Sequence, residues 1–189
     1  MARQILILVD VQNDFVKGGV LGYGYPEKSN TEALIAYAKE WQKNPSHLLI
    51  ATADTHPENY LEATLEGKKL PVPHCIENTK GWRLVFEDTK SGYEQLDCNE
   101  VFEKPTFGSE NLVNWIAEEE GAATLEDEFD EIQIAGYCSS ICVAANAILL
   151  RAKFPNKKIV FLEKLSGDID ETSHKAAIKV MQNQQIEVV

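Results

Sequence analysis

Ile5-Leu6-Ile7-Leu8-Val9 is an unbroken apolar run that stops at Asp10. A strand with one wet face alternates apolar and polar residues. An unbroken run instead marks a strand buried on both faces, as in a parallel sheet. The chain beyond it fits that reading. Residues 29–43 predict a helix, with Ser29 or Asn30 as N-cap, Leu34, Ile35, Ala38 and Trp41 along one side, and Asn44-Pro45 as its stop. Residues 47–53 predict the next strand. Strands are further expected at 82–86, 100–103, 131–135, 158–162 and 186–189, and helices at 109–120, 140–153 and 172–182. Residues 54–80, with Pro57, Pro71 and Pro73 and no clean periodicity, read as a long loop, and loops of that length usually carry function. Strands alternating with helices give an α/β fold: a mostly parallel central sheet with helices on both faces, a Rossmann-like three-layer arrangement. Ligands then bind beyond the carboxyl ends of the strands.

Composition sets the outer limits. The 189 residues, 44% hydrophobic and 25% charged, suit a single domain over 1–189 and exclude intrinsic disorder. A chain this long buries roughly 70% of its unfolded surface, so neither metal nor disulfide is needed merely to fold. The net charge of -12 disfavours nucleic acid and anionic membranes as partners. Cys75, Cys98, Cys138 and Cys142 are too few for a disulfide scaffold. The first apolar run is too short for a secretory signal. Residues 132–150 carry no charge over 19 positions, but Gln133, Gly136, Ser139, Ser140 and Asn146 interrupt them, so they read as strand, turn and helix rather than a membrane span. Free thiols in a reducing cytoplasm are the expected setting.

Several polar groups fall just after strands. Asp10 closes the first. Asp54 and His56 follow the second, with His74 downstream; one carboxylate and two imidazoles are a normal first shell for a divalent transition metal. Lys104 ends the strand at 100–103. Cys142 sits in Gly136-Tyr137-Cys138-Ser139-Ser140-Ile141-Cys142, a turn that opens a helix. The helix dipole there is expected to lower the thiol pKa, and its backbone N–H groups to hold an oxyanion.

Together these residues resemble the isochorismatase-like cysteine hydrolases, and within them the nicotinamidase type. Val9-Asp10-Val11-Gln12-Asn13-Asp14-Phe15, Asp54-Thr55-His56-Pro57, His74-Cys75 with Thr79 and Gly81, Lys104 with Phe107, and Gly136 followed by Cys142-Val143 occur in the family's order along nearly the whole chain. The resemblance implies a catalytic triad of Asp10, Lys104 and Cys142. It implies a divalent metal on Asp54, His56 and His74, with zinc ahead of iron or manganese. A fourth ligand is expected from Glu66, with Glu62 as rival. Backbone N–H groups of Cys138 and Cys142 would form the oxyanion hole, with a cis Tyr137–Cys138 peptide. Phe15, Phe107 and Tyr137 would contact a flat ring. Relatives often carry an aromatic shortly before the second metal histidine; Leu70-Pro71-Val72-Pro73 has none.

The implied reaction is hydrolysis of nicotinamide to nicotinate and ammonia through a cysteine thioester, with the metal holding the pyridine nitrogen. The alternative is a metal-independent hydrolase of the same superfamily acting on a carbamoyl, ureido or biuret-like amide. A structural zinc domain is a weaker rival, since it leaves Asp10, Lys104 and Cys142 without a role; a Cys138–Cys142 redox pair is another, since its spacing is not C-x-x-C and a cis bond there makes the geometry awkward. The partner is a small-molecule amide, and homo-oligomerisation stays open. His47 and His174 read as structural. Tyr23 and Tyr25, in a glycine-rich loop, are a minor candidate cover for the pocket, and the lack of long insertions suggests an open pocket mouth.

Overall fold

A computed structural model describes residues 3–87, 90–117 and 129–189. Its sheet has six strands: β1 (Arg3–Val9), β2 (His47–Asp54), β3 (Glu100–Lys104), β4 (Phe129–Gly136), β5 (Lys158–Phe161) and β6 (Glu187–Val188). Their spatial order is β3-β2-β1-β4-β5-β6, and every pairing is parallel. The helices are α1 (Thr31–Trp41), α2 (Tyr60–Ala63), α3 (Leu65–Lys69), α4 (Glu110–Ala117), α5 (Ala144–Lys153) and α6 (Glu171–Asn183).

The apolar run in β1 has a direct structural cause. Leu6 and Leu8 join a core with Leu34, Ile35, Ala38 and Trp41 of α1. Ile5, Ile7 and Val9 join a second core with Leu112, Val113 and Ile116 of α4, Ala147 and Leu150 of α5, and Met181 of α6. All five β1 residues are fully buried. Burying each such side chain is worth about 1.5–3 kcal/mol, a gain that only a central strand covered on both faces collects in full. The three-layer expectation therefore holds.

From β1 the chain builds outward to β2 and β3, then crosses to the other side for β4. That reversal opens a crevice at the carboxyl ends of β1 and β4. Gly136 pinches the two strand ends together. Its φ is +136°, and a Cβ there would lie 2.1 Å from the Val9 carbonyl oxygen, so only glycine fits.

Local departures have identifiable reasons. Residues 82–86 do not form a strand; Leu84 makes one isolated antiparallel bridge to Gln12, and Leu84, Val85 and Phe86 plug the core from a chain of turns. The loop at 54–80 carries α2 and α3, and the Thr64 hydroxyl caps α3 by accepting the Gly67 N–H at 2.8 Å. The helix expected from 140 opens one residue earlier with a π-helical turn, Ser139–Val143. The expected end of the 109–120 helix lies outside the described residues. Residues 132–150 are divided among β4, that turn and α5, and no helix among the described residues is long and apolar enough to cross a membrane.

Candidate active site

Strand register brings the first three residues together. Val9 pairs with both Thr52 and Gly136, and Asp54 pairs with Lys104. The next residue after β1 is Asp10, which adopts a left-handed backbone (φ +52°). Its Oδ1 accepts the Thr52 hydroxyl at 2.6 Å, and its Oδ2 lies 2.7 Å from Lys104 Nζ. Lys104 Nζ also lies 3.7 Å from Cys142 Sγ and 3.5 Å from Asp54 Oδ1. The Tyr137–Cys138 peptide is cis, as the resemblance implied.

All three groups are enclosed: Asp10 is 0%, Lys104 2% and Cys142 5% exposed. Burial pushes the Asp10 carboxyl above its ordinary value, and Lys104 and Thr52 offset that only in part. Burial opposes the charge on Lys104, but Asp10, Cys142 and Asp54 outweigh it and keep the ammonium charged. Burial also raises the Cys142 thiol well above its usual value, with the Asp10 charge adding to it. This overturns the expectation from the helix dipole. A dipole effect of roughly 1 kcal/mol loses to the removal of a thiolate from water. Burial therefore disfavours the charged form of both the thiol and the carboxyl, and the Lys104 ammonium works against that effect.

Next to this group lies a second one. Ligand atoms of Asp54, His56 and His74 all lie within 4.8 Å of one another. Asp54 Oδ2 is 2.9 Å from His56 Nε2 and 3.5 Å from His74 Nε2. Glu66 closes the ring, with Oε2 3.9 Å from His56 Nε2 and Oε1 3.6 Å from His74 Nε2. Glu62 is exposed on α2. The His74 Nδ1–H donates to the Val72 carbonyl at 2.8 Å, which turns its Nε2 lone pair toward the carboxylates. Burial works against ionised Asp54, but the two imidazoles and Lys104 hold its carboxyl well below the usual range. His56 Nε2 is buried against the Asp54 and Glu66 carboxylates, and its Nδ1 is buried without a hydrogen bond. Two imidazoles crowded against two carboxylates away from water are costly unless a cation fills the space, and two nitrogens with two oxygens suit zinc, iron or manganese.

Loop ties hold this second group. The Gln12 amide, fully buried, donates to the Asp54 carbonyl (2.8 Å) and the Trp82 carbonyl (2.7 Å) and accepts the Asp54 N–H (2.8 Å). Asp14 Oδ2 accepts the Cys75 N–H at 2.8 Å, next to His74. Gly81 leaves room for that carboxylate; a Cβ there would lie 2.1 Å from it. Asn146 joins the Lys104 segment to the nucleophile helix by donating to the carbonyls of Cys142 and Phe107 and accepting the Ser109 N–H. Gln12, Thr52, Asp14 and Asn146 had no assigned role from sequence. Their one signal was polarity inside otherwise apolar stretches.

The aromatic candidates divide. The Phe15 ring stands 5.5 Å from that of His74, beside the site. Phe107 is 43% exposed after Lys104. Tyr137 is fully buried, stacks on Tyr23 at 4.5 Å, and bonds through its hydroxyl to Thr31 and Asn30 at the start of α1. Its ring belongs to the core rather than to a substrate surface. Tyr23 is buried in that stack, and Tyr25 bridges to Asp168. His47 packs on Trp41, and His174 bonds to the Ser139 hydroxyl; both serve structure. All four cysteines are free thiols.

Comparison with known proteins shows the family and the fold. A family model described as the isochorismatase domain matches residues 4–189. The chain is 28% identical to a nicotinamidase of Schizosaccharomyces pombe, over 97% of this chain and 91% of that protein. It is 31% identical to a nicotinamidase of Escherichia coli, over 76% and 74% respectively. Its fold matches the crystal structure of a zinc-bound pyrazinamidase of Pyrococcus horikoshii with a TM-score of 0.75, at 21% identity over 98% of both chains.

Proposed function

The chain belongs to the isochorismatase family, and we propose that within it residues 1–189 act as one nicotinamidase domain, an amidohydrolase that converts nicotinamide to nicotinate and ammonia. One observation carries this reading: the Lys104 ammonium touches Asp10, Cys142 and Asp54 at once, joining a nucleophile to a ring of metal-ligating groups. Asp54, His56, His74 and Glu66 would hold a divalent ion, zinc being the first choice, which would supply a Lewis acid for orienting the ring.

The chain's own groups carry the bond changes. Asp10 takes the Cys142 proton as sulfur bonds to the amide carbon and the carbonyl becomes an oxyanion. Its raised pKa suits it for that work, because a base nearer the operating pH transfers protons more effectively. Backbone N–H groups of Cys138 and Cys142 hold the oxyanion; one such donor is worth about 3 kcal/mol. When the intermediate collapses, the carbon–nitrogen bond breaks and Asp10 returns the proton to the leaving amine, releasing ammonia. Water then attacks the thioester and gives its proton to Asp10. The carbon–sulfur bond breaks, and the proton returns to sulfur. Lys104 holds charge balance throughout. Phe15 supplies an apolar wall for the ring. Four free thiols suit a reducing compartment, and cytoplasm is the setting this reading implies.

The test is ammonia release from nicotinamide, pyrazinamide and a set of ureido compounds, with and without a chelator. Turnover of nicotinamide that is lost on chelation and restored by zinc is the expected result. Ammonia from the ureido compounds alone, unaffected by chelator, would replace this reading with the metal-independent alternative.

A further inference from the structure

The segment following β5 lies alongside the nucleophile turn and grips it residue by residue. Gly136 N–H donates to the Ser166 hydroxyl oxygen (3.1 Å), and Gly167 N–H donates to the Gly136 carbonyl (3.2 Å). Ser139 gives both its N–H (2.8 Å) and its hydroxyl (3.0 Å) to the Gly167 carbonyl. Asp168 then takes Ser140 at two points. Its Oδ2 accepts the Ser140 N–H at 2.8 Å; its Oδ1 accepts the Ser140 hydroxyl at 2.9 Å and the Ile169 N–H at 2.8 Å. The backbone of Asp168 is anchored from the opposite side by Gly24 and Tyr25.

Asp168 is fully buried and makes no ion pair among the described residues. A buried carboxylate without a cation is costly unless hydrogen-bond donors replace water. Here the donors come from Ser140 and from its own neighbour, at the N-terminal end of the turn where a helix favours negative charge. Charge-assisted bonds of this kind are about twice as strong as neutral ones. Two of them converge on a residue two places before Cys142, which fixes the rotation of the turn as well as its position.

We propose that Asp168 is a positioning residue for Cys142, holding the nucleophile turn through Ser140 so that the sulfur stays aligned with Asp10. The inference rests on Cys142 being the nucleophile. It does not depend on which amide is the substrate.

The experiment compares wild type, D168A and D168N by nicotinamide kcat and KM, and by the rate at which iodoacetamide alkylates Cys142, followed by mass spectrometry. Misplacing a reacting group by an ångström costs about 100-fold, so D168A is expected to lose about that much kcat with KM changed less than about threefold. Alkylation of Cys142 slows by about tenfold, because a thiol turned away from Asp10 loses the base that takes its proton. D168N keeps one carbonyl oxygen for the Ser140 N–H but turns an amide toward the Ile169 N–H. It recovers at least about tenfold of the lost kcat. A D168A enzyme with kcat near wild type overturns the proposal, as does D168N that matches D168A in every readout. Should D168A fail to fold, S140A, which removes the hydroxyl bond to Asp168, takes its place: alkylation at the wild-type rate overturns the proposal, and slowed alkylation supports it. Should wild type release no ammonia from nicotinamide, the substrate reading fails while the alkylation arm still judges Asp168.

Discussion

Asp10, Lys104 and Cys142 stand at or just beyond the ends of β1, β3 and β4, whereas His74 and Glu66 come from a loop and a short helix between β2 and β3. The first group inherits its geometry from the sheet: once Val9 pairs with Thr52 and Gly136, and Asp54 with Lys104, the reacting groups have little freedom. The second group has only Asp54 in the ladder, and His74 and Glu66 lie outside it. It depends on individual ties, such as Asp14 to the Cys75 N–H and Gln12 to Asp54. The difference teaches where each part is vulnerable. Damage to the sheet-borne half should appear in turnover, and damage to the loop-borne half in metal affinity.

The strongest challenge to that division is C142A against C138A. C142A should lower turnover by roughly 10⁴-fold or more and leave metal content intact. C138A should retain substantial activity, because only its backbone is used; equal losses in a steady-state assay would remove Cys142 from its role. Smaller and on the other side is E66Q against E62Q. E66Q should weaken zinc binding by about 10–100-fold in equilibrium dialysis, while E62Q, on an exposed side chain, should bind as wild type does. A loss confined to E62Q would reverse the choice of fourth ligand. D14A comes next. Freeing the Cys75 N–H should loosen His74 and cost about tenfold in zinc affinity, with kcat at saturating zinc nearly unchanged. A fall in kcat alone would mean that the two halves cannot be separated in this way.

The finest test is the acid limb of kcat/KM. Asp10 must be ionised to accept the thiol proton, and burial raises its pKa above the ordinary 3.8, so activity should fail at a higher pH than for an exposed carboxylate. T52V removes a hydrogen bond that favours the charged form, and should move the limb higher still. A limb that stayed put or moved down would argue against Asp10 as the titrating base.

These contrasts also explain what was legible in the chain before its folding was known. The β1 run announced a central parallel strand, and the position of Asp10, Asp54, Lys104 and Cys142 after strands announced the site, because both follow from the local sequence and one rule about strand ends. Gln12, Asp14 and Asp168 were not legible as supports. A polar residue in a loop looks alike whether it faces solvent or clamps a distant backbone, and their partners lie tens of residues away in sequence. The thiol pKa was misjudged for a related reason: the turn is visible in the sequence, but the burial that outweighs it is not. Residues 82–86 misled because apolar spacing records burial, and turns can bury Leu84, Val85 and Phe86 as well as a strand can.

Lys104 has one further consequence. A descendant without a metal there would keep Asp54 as an enclosed anion, 4% exposed, with this ammonium as its close non-histidine counter-charge among the described residues. The same cation would then be divided between two carboxylates just as the attacking sulfur required it. Abandoning the ion and replacing Asp54 are therefore changes that this architecture obliges to happen together.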